Sequence, residues 1–159
     1  SQVKHAFDLA QKAGMITVAL FTIGNIWENE ETINQTIDFA KSLKTDYVQF
    51  CIVKPYPGTV IYNLIEKHVH HAKFLTKDWD KYDIFDSPVV FTTDDLSKEL
   101  LMKMHNKAYK SFYLRPSQAL FLIYRRIKLF HGLDIMQTIS HFHLLISKLG
   151  RCDRLYAKH

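Results

Sequence analysis

The feature that most constrains this chain is a strand–helix–strand run between Met15 and Tyr62. Ile16 to Ile23 is apolar at nearly every position, which is what a strand needs when both its faces are buried. Asn29-Glu30-Glu31 then opens a helix whose Ile33, Ile37, Ala40 and Leu43 fall on one face, with acidic residues where the helix dipole is positive. Tyr47 to Val53 is a second strand, again rich in β-branched and aromatic residues. Two such strands joined by a helix predict a parallel βαβ unit with a right-handed crossover. Ligand sites in parallel α/β folds lie at the carboxyl ends of the strands. Here that points to Thr22-Ile23-Gly24-Asn25 and to Val53-Lys54-Pro55-Tyr56-Pro57-Gly58.

Composition narrows the class. With 47% hydrophobic and 23% charged residues in 159, the chain has the makings of one globular core rather than a disordered segment. Cys51 and Cys152 lie far apart and form no disulfide framework, and Cys51 reads as a small core residue of a buried strand. A reduced, cytoplasmic chain is expected. No run approaches the length of a membrane span, and Ser1-Gln2-Val3-Lys4 does not begin a signal peptide. Residues 1–96 carry 9 Lys and Arg against 13 Asp and Glu, whereas residues 97–159 carry 12 against 3. The basic C-terminal part can serve nucleic acid or an anionic membrane surface, or be a solvated face balancing an acidic body. Its basic residues are spread rather than clustered, which favours the last.

Before the first strand, Lys4 to Ala13 reads as a helix with Val3, Phe7 and Ala10 on one face and Gly14 at its C-cap. Two strands alone neither close a barrel nor make a sheet covered on both faces, so the chain is expected to be a piece of something longer. Thr59 to His68 is a short helix with Val60, Leu64 and Ile65 inward. His68, His70 and His71 follow without the partners that a structural zinc requires, and no metal site is expected. Lys73 to Thr93 is irregular. Its Trp79, Tyr82, Phe85 and Phe91 either cover a core or, for Trp79 and Tyr82, form a lid over the strand ends. A long helix from about Asp95 has Leu101, Met104, Ala108 and Phe112 as its inner face, and Arg115-Pro116 interrupts it. A basic, aromatic helix follows from Ser117 to about Phe130, for packing against the body or lying on a membrane surface. The last helix runs from Ile135 to Leu149, with His141 and His143 on different faces. The segments are then 1–71 with the βα units, 72–95 as aromatic cover and 96–159 as a helical region.

The order of these motifs resembles the C-terminal half of radical S-adenosylmethionine enzymes, in the branch whose longer members carry an N-terminal cobalamin-binding domain, such as anaerobic magnesium-protoporphyrin ester cyclases. Ala13-Gly14-Met15, Phe21-Thr22-Ile23-Gly24 and Glu28 with Glu30-Glu31-Thr32-Ile33 look like that family's fifth strand and following helix. Asp46-Tyr47-Val48-Gln49-Phe50 leading to Pro55-Tyr56-Pro57-Gly58-Thr59 looks like its sixth strand and exit turn. Asp78-Trp79-Asp80-Lys81-Tyr82-Asp83 and Ala108-Tyr109-Lys110-Ser111-Phe112-Tyr113-Leu114-Arg115-Pro116 are similar to its tail.

The resemblance implies an α/β fold, the C-terminal portion of a partial parallel β/α (TIM-like) barrel followed by an α-helical C-terminal region. It implies S-adenosylmethionine as cofactor, with Thr22, Ile23, Gly24, Val53, Lys54 and Pro55 near its adenine. Gly24 either lets a planar ring approach the backbone or ends the strand in a simple turn. Trp27, Glu28, Tyr56, Trp79 and Tyr82 are the candidates for the substrate mouth. Trp27 stands where the family has a loop glycine. The CxxxCxxC triplet that holds a [4Fe–4S] cluster is absent, so the cluster, and any cobalamin, would belong to residues outside this chain. The expected partner is the missing N-terminal half of the same barrel, and the chain alone is expected to be inactive. Two other classes remain: a non-catalytic interaction module built on half a barrel, and a basic module for nucleic acid or a membrane surface. No nucleic-acid-binding signature is present, and none is expected to be bound.

Overall fold

A computed structural model of the chain describes residues 1–82 and 88–130, with side chains to Arg125. Phe85, the helix expected over 135–149 with His141 and His143, and Cys152 lie outside the described residues. The chain enters on helix α1 (Gln2–Lys12), which ends at a left-handed Gly14 with φ 78°. Strand β1 (Val18–Ile23), helix α2 (Glu30–Ser42) and strand β2 (Tyr47–Ile52) follow, and the two strands pair in parallel with Val18 opposite Tyr47 and Ile23 opposite Ile52. The α2 start has a local cause: the Asn29 side chain accepts from Thr32 N–H, and the Thr32 hydroxyl accepts from Asn29 N–H, a reciprocal cap. Ile33, Ile37 and Ala40 turn inward, as their spacing requires.

One expectation fails at the sheet. Among the described residues only one of its faces is covered. Ala19 and Ile23 with Val48, Phe50 and Ile52 form a core with α2 and helix α4 (Lys98–Tyr113), whereas Val18, Leu20 and Thr22 on the other face stay exposed. Cys51 lies on that second face at intermediate exposure and is therefore no core residue. An unbroken apolar run signals two faces that call for burial; it does not say that this chain buries both.

Ser97 caps α4 by accepting from Leu100 N–H, and Leu101, Met104, Ala108 and Phe112 are buried as its inner face. Beyond the strand ends a second cluster gathers Ile26, Ile65, Ala72, Tyr82, Val90 and Phe91. It joins helix α3 (Val60–Glu66) to a small antiparallel pair, β3 (Lys73–Phe74) with β4 (Phe91–Thr92), which sequence periodicity did not anticipate. Val60, expected inward, is exposed, while Ile65 is buried. Helix α5 (Pro116–Phe130) begins at the proline. It docks through polar residues, Gln118 and Arg125, while Leu120, Ile123 and Tyr124 face outward. Among the described residues no helix is long and apolar enough to cross a membrane.

Candidate functional site

The two strands end side by side, and the last rung between them is Val53 N–H donating to Ile23 O at 3.0 Å. β1 stops because Gly24 takes φ 85°, a left-handed turn that L side chains resist. A Cβ on Gly24 would lie 2.8 Å from Leu101 Cδ2, so α4 fills the space beside this glycine. Packing and turn geometry thus account for the residue with no ligand present. The following loop closes on itself: Glu28 Oε2 accepts from Asn25 N–H at 2.7 Å, and Asn25 Oδ1 accepts from Ile26 N–H at 2.7 Å. That closure drives Ile26 into the second cluster and leaves Trp27 outside, its ring edge-on to His70.

At the end of β2, Pro55 is fully buried and stiffens the exit. Lys54 is also buried, and its Nζ donates to the carbonyls of Lys81 and Pro88. A buried ammonium needs such oxygens, and here they come from the aromatic segment, which Lys54 therefore fastens over the strand ends. Tyr82 is the buried foot of that segment. Trp79 and Tyr56 stand above it at 58% and 44% exposure, their rings 16° from parallel with centroids 6.5 Å apart. Tyr56 OH donates to Tyr82 O at 3.3 Å, tying the group together.

The structure thus brings Gly24, Val53, Lys54, Pro55, Tyr56, Trp79 and Tyr82 to one end of the sheet. Thr22 points its side chain to the uncovered face, and Ile23 lies wholly in the core. The three histidines part company: His68 Nδ1 meets Ala72 O, His70 faces Trp27, and His71 Nδ1 meets Asp94 Oδ2. Among the described residues no three His, Cys, Asp or Glu converge as metal ligands.

Sequence reasoning missed the uncovered face. Gln49 and Cys51 share it with Leu20 and Thr22. Burial pushes the Cys51 thiol up, against a hydrogen bond with Gln49 that lowers it, so it is a protonated thiol rather than a ready thiolate ligand. The signal was available as strand parity, since 20, 22, 49 and 51 alternate with the covered residues.

No family model matches the chain. It is similar to an uncharacterized methyltransferase of Pyrococcus horikoshii, 39% identical over 138 residues, which is 84% of this chain and 27% of that protein. It is also similar to the bacteriochlorophyllide d C-12(1)-methyltransferase of Chlorobaculum tepidum, 27% identical over 93 residues, 58% of this chain and 19% of that one. The chain therefore spans about a quarter or less of the curated relatives it matches.

Proposed function

We propose that the chain is part of an S-adenosylmethionine-dependent methyltransferase of the radical, iron–sulfur type, and forms the closing portion of its parallel β/α barrel in the cytoplasm. The observation that carries this is the 39% identity over 138 residues to a protein named a methyltransferase. The motif order from Phe21-Thr22-Ile23-Gly24 to Tyr56-Pro57-Gly58 supports the finer, radical assignment. In this reading α1 and α2 lie outside the barrel, and the face with Leu20, Thr22, Gln49 and Cys51 looks inward.

The absent groups would supply reductive cleavage of S-adenosylmethionine, with cobalamin as a further cofactor where the whole protein uses it. The chain's own part is position and water exclusion. The backbone of Ile23, Gly24 and Val53 at the last rung, with Lys54 and Pro55 behind it, would hold the adenine. Trp27, Glu28, Tyr56, Trp79 and Tyr82 form the rim through which substrate reaches the site. The residues present do not fit the cluster: Cys51 is the one cysteine among the described residues, half-buried and protonated. In this reading the cluster thiolates would come from polypeptide outside this chain, and the chain alone would carry out no step.

The test is anaerobic turnover of the complete protein under a strong reductant. Formation of 5′-deoxyadenosine from S-adenosylmethionine supports the radical reading. S-adenosylhomocysteine without 5′-deoxyadenosine removes the radical assignment and leaves a polar methyltransferase. Neither product removes both.

A further inference from the structure

Helix α5 is seated by its polar side. Gln118 Nε2 donates to the carbonyls of Thr45 and Asp46, while Arg125 donates to the Asp46 carboxylate and to Met15 O. Gln118 and Arg125 lie seven residues apart, two turns along one face, so together they fix which side of the helix meets the body. The opposite side carries Leu120, Ile123 and Tyr124, which are 68%, 50% and 62% exposed. Spacings of three and four make these one stripe, and in the sequence the same spacing continues to Ile127 and Phe130. Among the described residues nothing covers Leu120, Ile123 and Tyr124. A surface helix ordinarily turns such a stripe inward. One that is bolted down with the stripe outward presents it to a further element.

The sequence after α5 has the complementary pattern. Gly132 stands where a helix-ending glycine belongs, and Asp134 with Gln137 three residues on is a capping-box start. Ile135, Ile139, Phe142, Ile146 and Leu149 then recur at spacings of four, three, four and three, the seam of two helices packed side by side. Residues 135–149 match the 15 residues of α5 in length. Residues 131–134 are all that join the two segments, and helices linked by so short a loop lie antiparallel and adjacent.

We propose that the outward stripe of α5 is the seat of this chain's own residues 135–149, packed antiparallel against it as a helical hairpin. The short tether holds that segment beside the stripe at an effective concentration of roughly millimolar, which an untethered occupant has to match by affinity. An anionic membrane surface calls for free cations around the stripe, and Arg125 is spent on Asp46. The hairpin stands at the amino ends of the strands, where Thr17 and Asp46 lie, and braces the body from the side opposite the candidate site. It needs no assumption about cofactor or reaction.

The test is thiol accessibility to a maleimide in the 159-residue chain, with Cys51→Ser and Cys152→Ser removing the native thiols. Ile123→Cys places a probe in the stripe, and Lys103→Cys, on the exposed side of α4, is the reference. In the dilute chain the Ile123→Cys variant should react about 10-fold more slowly than the reference, or slower still. Adding Ile139→Asp with Phe142→Asp should restore its rate, whereas Ile139→Leu with Phe142→Leu should keep it slow. Ala108→Cys, in the buried core, should stay unreactive beside the Asp substitutions, which separates release of the segment from unfolding of the body. Equal rates at the two exposed probes overturn the proposal, as does a slow rate that the Asp substitutions leave unchanged. Protection that follows chain concentration makes a second copy the occupant. Protection that appears only with upstream polypeptide attached makes that polypeptide the occupant, and protection only on anionic vesicles makes it a membrane; each of these overturns it too.

Discussion

At the scale of residues, the most consequential group is Asp46, at the amino end of β2 and so opposite the candidate site. Its carboxylate accepts from Thr17 N–H and Thr17 Oγ1, each at 2.9 Å, and from Arg125 Nε at 2.9 Å. Arg125 Nη2 also donates to Met15 O at 2.6 Å, and Gln118 Nε2 to Thr45 O at 3.0 Å. Burial opposes charge on Asp46, but the bonds from Arg125 and Thr17 outweigh it and hold the carboxyl below its ordinary value of 3.8. The pair is desolvated, so its net worth is small, but removing one partner strands the other. Asp46→Asn should cost about 3 kcal/mol at neutral pH, read from urea unfolding. A depressed carboxylate contributes its stability above the unfolded pKa and loses it as pH falls through the folded one. The gap between wild type and Asp46→Asn should therefore stay constant above pH 3.8 and shrink below it; a gap that widens in acid would show that the charge is not what matters.

At the scale of elements, α4 does two jobs with two faces. Leu101, Met104, Ala108 and Phe112 pack on the sheet, while His105, Tyr109 and Tyr113 hydrogen-bond the edge of β2. Burial pushes the Tyr113 hydroxyl up to about 12, so it remains a donor at any ordinary pH. Tyr113→Phe leaves both the N–H and C=O of Val48 without that partner and should cost about 2 kcal/mol. Tyr109→Phe should cost less, because Phe50 O keeps His105. Thermal unfolding of the two variants checks the order: equal losses would mean that His105 does not make up for the missing Tyr109 hydroxyl, and no loss in either variant that the hydroxyls contribute nothing beyond ring packing. The α5 interface uses the opposite chemistry, polar contacts inward and Leu120, Ile123 and Tyr124 outward, which apolar periodicity alone reads the wrong way round.

At the scale of the molecule, the described residues form a two-stranded parallel sheet with an exposed face and an exposed β1 edge, a marginal unit in water. The isolated chain should self-associate through β1, and Leu20→Lys should suppress this, measured by sedimentation velocity, because a lysine on an apolar edge opposes strand pairing. A matching change on the exposed side of α4, such as Lys103→Glu, should leave association unaltered. If Leu20→Lys associates as readily as the wild type, the edge is not what drives it.

What could be read from the residues was whatever short-range periodicity and capping control: the parallel βαβ unit, the Asn29 start of α2, the inner face of α4 and the break at Arg115-Pro116. These depend on spacings of two and of three to four residues and on neighbours within one turn, which a sequence displays directly. The candidate cluster at the strand ends was legible for a similar reason, since parallel topology fixes where loops emerge. Tertiary structure alone decided that the described residues leave one sheet face open, that Leu101 fills the space beside Gly24, and that Lys54 clamps the aromatic segment. It also decided that Tyr109 and Tyr113, 59 and 65 residues from their backbone partners, close the edge of β2. Contacts across such separations depend on how two elements lie against each other, and no local pattern encodes that distance.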